Sequence, residues 1–144
     1  MRARMIGLTA AAMLFAAGAA SAATLHFTTS LKGADEVPAH AVPGTGKVSA
    51  QLDTATKLFT YKVTYAGLTG PATMAHFHGP AAPGENAPPV VPVPAGSLAN
   101  PMIGKATLDD GQIADLKAGK WYFNIHTAAN PGGEIRGQLK EVGR

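Results

Sequence analysis

Among its 144 residues the sequence has no cysteine. Disulfide staples are therefore excluded, and any metal site has to be built from histidine or carboxylate rather than thiolate. An excess of one charge is lacking as well. The formal net charge is +3, but without Arg2 and Arg4 ten Lys and Arg residues face nine Asp and Glu. No basic block or aromatic-basic stripe occurs, so neither nucleic acid nor a membrane surface is an expected partner. There is also no Ser-His-Asp order, no paired-carboxylate spacing and no phosphate-cradling glycine loop. Hydrolase and kinase chemistry find no support, and neither catalytic residues nor an organic cofactor are assigned.

The longest apolar run, Ile6 to Ala17, is too short to span a bilayer comfortably. It follows Arg2 and Arg4 and precedes the small residues Ala20-Ser21-Ala22, a pattern that predicts a signal peptide over residues 1–22. The protein is then exported, to the periplasm or outside the cell, with no membrane attachment after cleavage. Residues 23–144 form one domain, large enough to bury a core without staples.

From Thr24 onward the apolar pattern has period two. Leu25, Phe27 and Leu31 alternate with polar residues, as do Val48, Ala50 and Leu52, and then Phe59, Tyr61, Val63 and Tyr65. The last two sets form a hairpin across a short turn at Asp53 to Thr56. Lys32 to Gly46 reads as a loop. Seven of the eleven prolines lie between Pro80 and Pro101. This stretch cannot hold a central strand, although Val90, Val91 and Val93 could tack it to the sheet. MIGKATL, from Met102, resumes the alternation. Asp109 to Lys120 is the one helix, with Asp109 as N-cap, Gln112 completing a capping box, Ile113 and Leu116 inward, and Gly119 at its end. WYFNIHT and EIRGQLK follow, joined by the turn chemistry of Asn130-Pro131-Gly132-Gly133. About seven to eight antiparallel strands with one short helix predict an all-β Greek-key sandwich or barrel.

The chemistry sits in two of these strands. In AHFHGPA, from Ala75, alternation puts His76 and His78 on one face and Ala75 and Phe77 on the other. In WYFNIHT, Trp121, Phe123 and Ile125 make an apolar face opposite Tyr122, Asn124 and His126. Taken alone, a His-x-His pair is equally a solvent-facing strand feature or part of a turn. With His126 added, three imidazoles suffice for a zinc site completed by water or a copper site with an open position. His76, His78 and His126 are therefore the candidate metal ligands. Since neutral imidazole is the ligand form, binding is expected to weaken below about pH 6.5. Asn124 or Glu134 could orient an imidazole. His26 and His40 read as surface residues, either of which could complete a fourth position, and Arg136 reads as a structural residue pairing with Glu134 or a carbonyl.

LKGADEVP from Leu31, AHFHGPA, the run from Asp109 to Thr127 and above all NPGGEIRGQL at Asn130 to Leu139 resemble the CHRD domain, a family named for chordin and widespread in bacterial exported proteins. The resemblance spans nearly all of residues 23–144 and implies a binding module, since chordin is an extracellular binder of growth factors. A more distant similarity is to copper-zinc superoxide dismutases, Greek-key barrels whose copper is held partly by a His-x-His pair and a late-strand histidine. His76, His78 and His126 match that order. The bridging histidine, the zinc ligands and the disulfide cysteines have no counterpart, which argues against dismutation. The expected function is an exported CHRD binding module with a three-histidine copper or zinc site. The alternatives are a metal-free module for an unknown protein or polymer partner and a dismutase-like redox enzyme.

Overall fold

Alternation carries over directly into strands. The computed structural model of the protein describes residues 21–143, and the expected signal segment 1–22 lies outside them apart from Ser21 and Ala22. Among the described residues nine strands form: β1 (Thr24–Lys32), β2 (Thr45–Asp53), β3 (Leu58–Ala66), β4 (Ala72–His78), β5 (Pro89–Pro92), β6 (Met102–Thr107), β7 (Tyr122–Thr127), β8 (Ile135–Gln138) and β9 (Lys140–Val142). All pair antiparallel in one sheet of order β5-β4-β7-β8-β1-β2-β3-β6, with β9 also on β1. β1, β2 and β3 are a meander, and β8 returns to lie beside β1, which is a Greek-key arrangement. The expected all-β Greek-key class is what forms.

Curling of the sheet into a nearly closed barrel follows from where its apolar faces go. Four strands separate β4 from β3 in the sheet, yet Phe77 meets Phe59 edge to face at 5.1 Å between ring centroids. Trp121 joins Phe59 at 5.7 Å, and Phe123 joins Phe77 at 4.7 Å. Phe27, Leu31, Val48, Leu52, Val63 and Ile125 fill the rest. The core is thus made by the inward residues of every long strand.

Helix α1 (Asp110–Lys117) carries the expected capping box between Asp109 and Gln112, buries Leu116, and ends at Gly119 with φ +73°. The proline-rich stretch is more ordered than its composition predicts. Val91 and Val93 are buried, and β5 pairs with β4 as an edge strand, the position that proline tolerates.

Glu134 and Arg136 alternate with Ile135 and so lie on the outer side of the sheet, yet they are 0% and 2% exposed. The segment following β4 folds back over Arg136, which donates from Nη1 to Asn86 Oδ1 at 2.8 Å and from Nη2 to the Glu85 carbonyl, while Glu134 is held by Thr69, Thr127 and Asn130. All six residues of β7 are buried, those of the histidine face included.

Candidate metal centre

The ladder between β4 and β7 sets the site. His78 is paired with Tyr122, His76 with Asn124 and Met74 with His126. Ala75 and Phe77 point into the core at 0% exposure, so Met74, His76 and His78 emerge on the other face, beside His126. The potential ligand atoms of His76, His78 and His126 all lie within 4.8 Å of one another. The structure therefore brings the three predicted histidines together.

Two of the rings are aimed by backbone carbonyls. His126 Nδ1 is 2.9 Å from the Pro131 carbonyl, and His78 Nδ1 is 2.9 Å from the Ala87 carbonyl. A carbonyl only accepts, so each Nδ1 carries its proton; His126 Nε2 then faces His76, whereas His78 Nε2 meets Asn124 Oδ1, a contact that an ion bound there would displace. Donation of the other ring N–H to a carbonyl or carboxylate is how ligating histidines are usually oriented. His76 has no such anchor. Its Nδ1 lies 3.2 Å from His126 Nε2 and donates to it. Two nitrogens at about 2.05 Å from a tetrahedral ion stand roughly 3.3 Å apart, so an ion replacing that shared proton would leave this pair almost where it is.

Burial favours the neutral form of two of the rings, His76 and His78. Burial pushes the His76 imidazole down to about 4, with the neighbouring His126 and His78 adding to the effect. Burial also lowers His78, against the opposing hydrogen bonds from Ala87 and Asn124. The ring of His78 stacks on Tyr122, whose opposite role is to carry Arg136, the guanidinium carbon lying 3.5 Å from the ring centroid. Tyr122 also grips the carbonyl that orients His78, its hydroxyl donating to Ala87 O at 3.2 Å and accepting from Ala87 N at 3.1 Å.

Of the two predicted orienting residues, only Asn124 reaches an imidazole. Its amide lies 2.9 Å from His78 Nε2 and also bonds Glu36. The ring meets Asn124 Oδ1 there, so both His78 nitrogens face acceptors, and the Asn124 amide nitrogen is left to donate to Glu36. Burial raises Glu36 to about 7 even though Arg136 pulls it down. Gly133, at φ +127°, leaves the room for this contact, since a Cβ there would strike both Glu36 and Asn124. Glu134 instead accepts from Thr127, Asn130 and Thr69, tying the turn rather than a ring. Burial works to raise its carboxyl, but those bonds outweigh it and the net shift is downward.

His26 and His40 stand outside the cluster, and neither completes it. His26 is exposed on β1, which β8 separates from β7, and His40 lies in the loop after β1, its N–H bonded to Gly33 O. Arg136 pairs with a carbonyl as expected, though with Glu85 and not with Glu134. The supporting roles of Tyr122, Glu36 and the Ala87 and Pro131 carbonyls have no signature in sequence spacing.

No curated protein and no solved structure matches the chain. A family model does match, that of the CHRD domain, over residues 27–139. This range contains the whole of the histidine cluster and almost every strand, and the chain belongs to the CHRD domain family.

Proposed function

We propose that this CHRD domain is an exported binding module whose His76, His78 and His126 hold one copper or zinc ion. The observation that carries this is the convergence of three imidazoles on one strand face, two of them oriented by backbone carbonyls, with His126 Nε2 facing His76. The 3.2 Å nitrogen pair of His76 and His126 suits an ion of tetrahedral preference. Export rests on the pattern of residues 1–22. Equilibrium dialysis of the purified protein against Cu(II) and Zn(II) is the test. One tightly held equivalent is expected for the wild type and none for the His76→Ala, His78→Ala double variant; equal, non-stoichiometric uptake by both refutes the metal role.

A metal-free interaction module is the second reading. Edge strand β6 favours it, because Ile103 is 62% exposed there and the outer side of the strand has no ladder partner among the described residues.

A further inference from the structure

The three histidines leave one neighbour on their face without a role. Met74 is the cross-strand partner of His126 and precedes His76 by two residues, so it shares a strand face with both. It is 47% exposed, while Ala75 beside it is fully buried. Opposed residues in an antiparallel pair have Cβ atoms about 4.5–5.5 Å apart, and an unbranched methionine chain spans such a gap easily. β5 pairs with His76, Phe77 and His78, and Val93 N–H donates to the Ala75 carbonyl, so the bonds from that side end just short of Met74.

The charge of the donor set points the same way. The cluster contains three histidines and no carboxylate. Glu134 is occupied by Thr127 and Asn130, and Glu36 stops at Asn124. A neutral set of three imidazole nitrogens and one thioether sulfur suits a soft monovalent ion better than a hard divalent one.

We propose that Met74 is the fourth ligand of the site and that its thioether makes the site selective for copper(I). This rests on the three-imidazole reading above and goes beyond it by naming the ion.

Anaerobic competition for Cu(I) against a chromogenic chelator, with Zn(II) titrated in parallel, tests the proposal on wild type, Met74→Leu and the His76→Ala, His78→Ala variant. Met74→Leu keeps size and apolarity at an exposed position, so the fold is retained. It is expected to weaken Cu(I) by about tenfold or more, the loss that removing even an outer hydrogen-bond partner of a ligand can cause, and to leave Zn(II) within about twofold. The X-ray absorption spectrum of the Cu(I) protein should contain a sulfur scatterer that Met74→Leu lacks. Full retention of Cu(I) by Met74→Leu, together with its loss in the double histidine variant, overturns the Met74 assignment alone. Unchanged binding in both variants overturns it together with the three-imidazole site.

Discussion

His78 lies flat on Tyr122, with ring centroids 4.6 Å apart and planes within 4° of parallel. The same tyrosine hydroxyl bonds Ala87, whose carbonyl fixes the His78 proton on Nδ1. Tyr122→Phe keeps the stack and frees the carbonyl, and Tyr122→Leu removes both. Zn(II) affinity measured by calorimetry should fall in that order, by about 10- to 100-fold for the leucine variant. Wild-type affinity in both would show that the ring is not held by this shelf.

The shared core beneath the site should be more sensitive than the site itself. Phe77 is fully buried against Phe59, Tyr61 and Phe123. Phe77→Ala is expected to cost about 3–5 kcal/mol in urea unfolding. His76→Ala, at a half-buried position on the outer face, should cost far less. Similar losses for the two would contradict the assignment of faces.

Glu36 sets one arm of the pH dependence. Its carboxyl is raised from 4.5 to about 7 in the folded protein, so the folded state binds the proton more tightly. The resulting stability is fully present below pH 4.5 and is lost as pH rises through about 7. Glu36→Gln supplies an amide donor at every pH. The melting temperature of wild type minus that of Glu36→Gln, both metal-free, should therefore decline from pH 4.5 to 7; a flat or rising difference rules out the raised carboxyl.

His76 gives the opposite slope. Its folded-state value is lowered from 6.5 to about 4, so the unfolded chain binds the proton first. Stability present above pH 6.5 is lost progressively as pH falls toward 4. The loss should be smaller in His76→Ala. Parallel acid melting curves for the two proteins would show that this imidazole titrates normally.

Strand faces are legible in the sequence because period two is a property of the local backbone. AHFHGPA and WYFNIHT place their histidines opposite Phe77 and Phe123 without any knowledge of neighbours. That the rings meet depends on β4 pairing with β7, two segments separated by the proline-rich stretch, β6 and α1. Alternation carries no information on such long-range pairing. Arg136 and Glu134 show the limit from the other side. Their alternation with Ile135 marks an outer face correctly, but whether that face is covered depends on where residues 80–88 fold for Arg136 and where Thr69 falls for Glu134. Glu36 is hidden for the same reason: a loop glutamate reads as solvated until Gly133 and Asn124 are brought beside it.

The most direct test of a common metal centre is the response of individual ring nitrogens. In nitrogen-15 NMR spectra of histidine-labelled protein titrated with Zn(II), resonances of His76, His78 and His126 should shift together and saturate at one equivalent, with Nε2 of His78 and His126 most affected, while those of His26 and His40 stay in place. Shifts spread over all five histidines, or saturation that differs between His76 and His126, would contradict a single three-imidazole site.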